Sequence, residues 1–277
     1  MPTVHPTIEL KDKLVSFYQR ISAAAAVAFY VFLLAPSVIV MIVSFGATDS
    51  IRFPPRALSL DLYQAFFSDP NWTVPLLQSV KIAVLSSVIS VVLAVPASYG
   101  LARFNFRFKG TLTAVVLSPL LIPSIILGLG LYLYFTVLGI TGTNTALLAG
   151  HVVYSTPFVM IVIGAGVVKL DPNLEFAATL MGASRRKMFL TVVLPQLLPS
   201  IVAGWLFSFL ISFDEVVLSW FLVGPSTTTL PVKMFSSIQW EISPVIAAVA
   251  TVLTLLSLMI CLPAAFLQRS ASGDIVR

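Results

Sequence analysis

Charge is scarce in this sequence. Asp, Glu, Lys and Arg supply 10% of its 277 residues, where a soluble domain carries roughly 25%. Hydrophobic residues supply 58%, and the mean hydropathy is +1.01. Too little polar surface is available to clothe a water-soluble fold, and the composition is the reverse of a disordered chain. Cysteine is nearly absent. Cys261 stands alone in an apolar run, which excludes an intramolecular disulfide, a redox pair and a thiolate zinc site and reads as a buried structural thiol. The only histidines are His5 and His151, so no Ser/His/Asp or metal-ligand constellation is expected, and His151 reads as packed or hydrogen-bonded. No G-x-x-x-x-G-K-[ST] phosphate loop occurs, so no nucleotide site of that kind is expected. No short apolar core with a small-residue cleavage site precedes the body, so no cleavable leader is expected. The net charge of +5 is better explained by basic loops at a membrane than by nucleic acid.

What the sequence does contain is long uncharged runs. A membrane helix needs about 20 apolar residues, because the hydrocarbon core is about 30 Å thick. Residues 21–48, 82–102, 110–168, 188–213 and 242–268 lack Asp, Glu, Lys and Arg. The run 110–168 is too long for one helix, and Gly139, Gly142 and Asn144 in LGITGTNTALL divide it with a tight turn. Six spans are expected, near 22–45, 75–101, 112–138, 144–167, 198–222 and 243–267. Continuous runs such as SIILGLGLYLYFTVL lack the alternation of a barrel strand. The fold class is therefore an all-α membrane protein. Its parts are an N-terminal segment 1–21, a six-helix body 22–267 and a tail 268–277.

Proline falls inside or near the end of every span, at Pro36, Pro96, Pro119, Pro123, Pro157, Pro199, Pro244 and Pro263. These positions predict kinks, and the sharper reading is that Pro119 and Pro123 bend a pore-lining helix. Orientation follows from the basic residues. With a cytoplasmic N terminus, the inner segments hold twelve Lys and Arg, and the outer ones hold Arg52, Arg56 and Lys233. Both termini are therefore expected in the cytoplasm, with Lys81 at an outer boundary. The stretch IELKDKLVSFYQR before the first span reads either as a short interfacial helix or as a solvated tail.

The inner segment 169–201 is more than a connector. Asp171 can cap a helix with Pro172 at its first position. Leu174, Ala177, Ala178 and Met181 share one helical face, Gly182-Ala183-Ser184 ends that helix, and Ser184 can cap a second. Pro195 and Pro199 mark the start of span five. The shape is an amphipathic helix–turn–helix that suits either a groove on a soluble partner or the membrane surface.

The segment LEFAATLMGASRRKMFLTVVLP resembles the cytoplasmic coupling loop of bacterial ABC importer permeases, whose pattern is E-A-A, three residues, Gly, nine residues, I-x-L-P. Ala177, Ala178 and Gly182 match it, as do Leu194 and Pro195, with Val192 for the isoleucine. Phe176 stands where the family usually has its Glu, and Glu175 lies one place earlier. That step rotates a side chain by about 100°, so Glu175 does not simply take over the role. Either a basic group on the ATPase is met differently, or packing by Phe176 replaces the contact. Residues 211–235 and 242–258 resemble the polyamine-type (spermidine/putrescine) permease subgroup. Permeases for opines, other organic cations, iron or sulfate share much of this layout.

The resemblance implies an ABC type I importer permease fold and a transport subunit that is not an enzyme. It implies a coupling loop at 169–195, with Glu175, Phe176, Ala177, Ala178, Gly182, Ala183, Leu194 and Pro195 at the ATPase contact. It implies partners: a homologous second permease subunit, two ATPase subunits holding ATP and Mg, and an external solute-binding protein. No cofactor would be bound by this chain. The bacterial inner membrane is the implied location. Asp214 and Glu215 are the most informative charges, because a carboxylate in a span is costly unless it meets water or a partner. With Phe213 and Trp220 they are suitable ligands for a cation in the pathway. The other reading is an interfacial pair that fixes a helix end or bonds the partner subunit. The outer segments 46–74 and 224–241 are candidates for docking the binding protein. A stand-alone carrier or channel, or a membrane scaffold, would leave the coupling-loop pattern unexplained.

Overall fold

The computed structural model describes residues 6–47, 51–240 and 243–273, with side-chain environments described over 17–47, 51–240 and 243–259. Asp49, the thiol of Cys261 and the end of the tail lie outside the described residues. Among those described, the backbone is helical with no strand. A single bridge, Gly142 to Val223, is the exception. The described residues fall into two compact units, within 1–66 plus 244–253 and within 67–243 plus 254–277.

In the first unit, α1 runs unbroken from Pro6 to Val43. The described part of the N-terminal segment and the apolar run thus share one helix. Its portion Phe17–Val43 is long and apolar enough to cross a bilayer. Apolar residues lie all round it, as on a helix meant for lipid or another subunit. After α1 the chain folds back. The Ser44 hydroxyl meets the Tyr63 hydroxyl at 2.7 Å, and the Ser59 amide donates to the Phe45 carbonyl at 2.7 Å. Helix α2 spans Asp61–Ser68.

The second unit is built on α3 (Pro70–Arg103), α6 (Asn144–Lys169) and α9 (Leu194–Phe213), which pack on one another. Between α3 and α6 lie α4 (Lys109–Leu117) and α5 (Ser124–Val137). After α6 come α7 (Pro172–Leu180) and α8 (Arg185–Met188), and after α9 come α10 (Val217–Leu222) and α11 (Leu230–Trp240). Helix α12 (Val245–Gly273) runs from the first range into the second. The core contains Ala94 and Val95 of α3, Val159, Ile163 and Val167 of α6, and Leu197 of α9. Serines stitch the same contacts: Ser90 to Ser155 at 2.8 Å, and Ser86 to Ser212 at 2.8 Å. Small hydroxyl residues let apolar helices approach closely and hydrogen-bond across the contact.

Helix α3 starts earlier than the charge gaps imply. Asp69 caps it by accepting from the Asn71 amide at 2.9 Å, with Pro70 in the first turn. Its 34 residues rise about 51 Å, more than a hydrocarbon core requires. Lys81 lies within this helix. The predicted turn at 138–148 is found as a shorter one. Gly139 and Gly142 have φ of 70° and 76°, and Thr143 caps α6 through the Ala146 amide.

Among the described residues, four helices are long and apolar enough to cross a membrane: Phe17–Val43, Pro70–Arg103, Asn144–Lys169 and Arg185–Phe213. The expected third span is not one straight helix. Lys109–Leu120 and Ser124–Val137 meet at 104°, and together they make a fifth candidate. Pro119 and Pro123 flank this corner, each removing a backbone donor. The expected fifth span also differs. It starts at Arg185, passes through a π-helical turn, Phe189–Val193, and then Pro195 in the first turn of α9, before ending at Phe213. Pro195 has no N–H to continue the usual ladder, and the wider turn accommodates it. The described apolar part of α12, Val245–Met259, is shorter.

Candidate functional site

The helix–turn–helix at 171–188 forms as its sequence predicts. The Asp171 carboxylate accepts from the Asn173 amide at 2.9 Å and starts α7. The helix ends in a Schellman turn: the Gly182 amide donates to the Thr179 carbonyl at 3.0 Å, and the Ala183 amide to the Ala178 carbonyl at 3.1 Å. This turn needs a left-handed residue, and Gly182 supplies φ 82°. Ser184 then caps α8 through the Lys187 amide at 3.3 Å.

The two faces of α7 differ from the predicted split. Ala178 is buried and Ala177 is exposed. Phe176, Leu180 and Met181 form the exposed apolar ridge, with relative exposures of 63%, 71% and 83%. Behind the turn, Ala183 is half-buried and Pro195 is exposed. Leu194 packs against the α3–α6–α9 core together with Met188 and Phe189.

Glu175 points into its own chain. Its carboxylate pairs with the Arg103 guanidinium at 2.8 Å and accepts from the Tyr99 hydroxyl at 2.6 Å. Arg103 also donates to the Leu170 carbonyl at 3.0 Å. Glu175 and Phe176 thus take opposite parts: the acid faces inward and the aromatic faces outward. Arg103 and Tyr99 escape a reading based on spans, which counts Arg103 only as a basic loop charge. Their spacing of four residues on one helical face is the available signal.

The second cluster lies at the end of α9. Asp214 and Glu215 are not consecutive residues of a continuous helix, because α9 stops at Phe213 and α10 starts at Val217. Glu215 is buried and accepts from the Leu218 amide at 2.8 Å, capping α10, with Tyr154 beside it. Asp214 is exposed. Phe213 is buried and stacks on Phe209 with centroids 5.6 Å apart. Trp220 is 40% exposed and meets the edge of Phe235 at 5.2 Å. Of the four residues expected near the pathway, the fold exposes Asp214 and Trp220.

His151 bridges this break from α6. One ring nitrogen lies 2.7 Å from the Ser212 hydroxyl and the other 2.9 Å from the Ser219 hydroxyl. Ser212 precedes the break, Ser219 follows it, and all three side chains are buried. The expected packed, hydrogen-bonded histidine is what the structure contains. Ser212 also accepts from Ser86 at 2.8 Å, and Ser86 belongs to the stripe Ser79, Ala83, Ser86, Ser90 and Ala94 on α3, spaced for one helical face. Among the described residues, no group of three or more His, Cys, Asp or Glu could hold a metal ion.

Around α11, the Ser79 hydroxyl accepts from the Leu230 amide at 2.8 Å. Lys233 stands 5.6 Å above the Trp72 ring. These contacts hold 230–233 against the first turns of α3, while Ile238 and Trp240 are exposed.

Residues 90–272 match the family described as "Binding-protein-dependent transport system inner membrane component". The putrescine transport system permease protein PotI of Escherichia coli K12 is 33% identical over 233 residues, covering 81% of this chain and 82% of that protein. The spermidine/putrescine permease PotC of the same strain is 29% identical over 254 residues, covering 90% and 95%. The crystal structure of a bacterial ABC transporter importing alginate contains a chain with TM-score 0.71 and 14% identity, with 99% of each chain covered. The methionine transporter MetNI in an inward-facing form gives TM-score 0.60 at 17% identity, covering 77% of this chain and 99% of that one. These two likenesses show the fold, which is that of an ABC type I permease. This chain belongs to the binding-protein-dependent inner membrane component family, as a non-enzymatic permease subunit of an ABC importer.

Proposed function

We propose that this chain forms one half of the translocation pathway for a small organic cation of the polyamine class. A homologous permease subunit forms the other half, two ATPase subunits supply ATP and Mg, and an external binding protein delivers the solute. The observation that carries the coupling role is the apolar ridge of Phe176, Leu180 and Met181, held outward by the Gly182 turn. Such a ridge on a short helix fits a groove on a soluble partner. The whole loop 169–195 is the ATPase contact, with Ala177 at the ridge's foot and Ala178, Ala183, Leu194 and Pro195 shaping it from behind. ATP binding favours one ATPase arrangement, and the difference in its affinity for the two states is the work available to move the helices.

Six crossings, with both termini and the coupling loop in the cytoplasm of a bacterial inner membrane, fit this role. The count takes the bent pair α4–α5 as one crossing and α12 as the sixth. The segments 46–74 and 224–241 then face outward, where exposed Ile238 and Trp240 suit a docking binding protein. Asp214 and the exposed part of Trp220 offer a carboxylate and an aromatic face to a passing ammonium group. The names of PotI and PotC support a polyamine, whereas the alginate importer shows that this fold does not itself fix the solute.

The test is reconstitution with the partner permease, the ATPase and the binding protein in liposomes, assayed for ATP hydrolysis and uptake over polyamines, amino acids and anions. Stimulation that requires both the binding protein and a polyamine is expected. Uptake driven by an ion gradient with this chain alone would overturn the importer assignment. Asp214→Asn is expected to raise the KM for putrescine or spermidine about tenfold, the loss of roughly 1.4 kcal/mol from one charge-assisted contact. An unchanged KM would remove Asp214 from the pathway.

A further inference from the structure

The end of α3 nearest the coupling loop does more than finish a membrane helix. Arg103 holds the Glu175 carboxylate of α7 at 2.8 Å and the Leu170 carbonyl at the close of α6 at 3.0 Å. Four residues earlier, the Tyr99 hydroxyl donates to the same carboxylate at 2.6 Å. The Tyr99 ring meets the edge of Phe189 at 5.1 Å, in the turn that leads into α9. Two side chains of one helix thus grip the start of the coupling helix, the end of the helix before it and the start of the helix after it. The Arg103 and Glu175 side chains are only 19% and 14% exposed, so water competes weakly for the pair.

We propose that Arg103 and Tyr99 are positioning residues of the coupling stroke: through Glu175 they fasten the coupling helix to α3, so that displacement of the ridge moves the α3–α6–α9 core as one body. The inference rests on the reading of α7 as the element that the ATPase moves. It assigns Glu175 a role inside this chain, where spacing alone leaves that residue one place away from the expected ATPase contact. A ridge without this joint would still bind an ATPase through Phe176, Leu180 and Met181. It would yield at the 170–171 connection instead of transmitting the movement. The charge of Arg103 and the hydroxyl of Tyr99 are therefore needed for transmission and not for docking.

The test uses the complete transporter, with both permease subunits, the ATPases and the binding protein, in lipid nanodiscs for hydrolysis and in liposomes for uptake. Wild type, Arg103→Gln, Arg103→Lys and Tyr99→Phe are compared by assembly yield, ATP hydrolysis without binding protein, stimulation by loaded binding protein, and solute moved per ATP. For Arg103→Gln, assembly and unstimulated hydrolysis stay at the wild-type level, while stimulation and solute per ATP fall at least about fivefold, the lower end of measured inter-site coupling. Arg103→Lys keeps the charge without the fork and falls in between. If Arg103→Gln fails to assemble, Tyr99→Phe carries the same test, because it deletes one hydroxyl and keeps the ring on Phe189. Full stimulation in Arg103→Gln, or in Tyr99→Phe where that stands in, overturns the joint. So does a parallel fall in assembly, unstimulated hydrolysis and stimulation in Tyr99→Phe, which would mark a purely structural role. Absence of binding-protein stimulation in the wild type overturns the importer reading itself, and the joint with it.

Discussion

Gly182 offers a clean perturbation of the proposed coupling element, because a side chain there meets nothing. A Cβ built on it has no heavy atom within 4 Å, whereas its φ is +82°. The cost of substitution is therefore backbone strain alone. An L-residue in the left-handed region loses about 1–2 kcal/mol, a factor of roughly 5–30 in the population of the closed turn. The two bonds that close the turn, Gly182 to Thr179 and Ala183 to Ala178, report this directly. Hydrogen exchange at the amides of 182 and 183 is expected to accelerate by that factor in Gly182→Ala. Gly182→Asn should lie closer to wild type, since asparagine visits this region more readily. Gly182→Val should exceed Ala, because its branched side chain is worst suited to positive φ. Binding-protein-stimulated ATP hydrolysis should follow the same order, Gly, Asn, Ala, Val, since an opened turn no longer aims Phe176, Leu180 and Met181. If Val exchanges like glycine, or Asn is the most disruptive, the left-handed turn does not hold the ridge and the argument fails.

Two further perturbations test the core around the helix break. His151→Leu removes a partner from both Ser212 and Ser219 in a buried setting; Ser212 keeps Ser86, whereas the Ser219 hydroxyl loses its bond, at a cost of about 1–3 kcal/mol. A clearly lower unfolding midpoint in nanodiscs is expected, with His151→Gln intermediate, and an unchanged midpoint would refute the bridge. Gly224→Ala puts a Cβ 2.7 Å from the Gly142 carbonyl oxygen, a backbone atom that cannot turn aside. It should disrupt the bridge from 142 to 223 and lower stability. Gly130→Ala meets nothing within 4 Å inside α5 and should stabilise by about 0.5–1 kcal/mol. Equal midpoints for the two alanines would contradict the close approach.

Helix existence and the helix–turn–helix at 171–188 were legible because each rests on local chemistry. Uncharged runs locate apolar helices, and Asp171-Pro172 and Gly182 carry their own start and stop signals. Continuity was not legible. The uncharged run 188–213 leads to an expected span at 198–222, but a charge count cannot register that Glu215 turns back to cap α10 and so interrupts the helix. It cannot tell α7's buried face from its exposed one, since Leu174, Ala177 and Met181 are apolar either way. The mate of Glu175 was equally hidden. Arg103 lies 72 residues away in sequence, and only packing of α3 on α6 brings the two together.

The breaks that the sequence hides share one physical logic. In hydrocarbon every backbone donor and acceptor needs a partner, so a helix can be interrupted only where side chains or altered turns supply one. At Pro119, which has no N–H to give the Val115 carbonyl, the Ser118 hydroxyl donates to that carbonyl at 2.8 Å. Around Pro195, where the ladder widens to a π turn, the Gln196 amide side chain donates to the Val192 carbonyl at 2.7 Å. At 214–216, the Glu215 carboxylate accepts from the Leu218 amide at 2.8 Å. Each compensating side chain sits within three residues of the interruption that it repairs. A span count from hydropathy passes over all three, because serine and glutamine hardly change a window average. Glu215 stands out as a charge, yet its sequence gives no sign that it is spent on the backbone. The exposed neighbour, Asp214, is then the carboxylate of the pair whose side chain stays free of that duty, which is why the pathway proposal rests on it and not on Glu215.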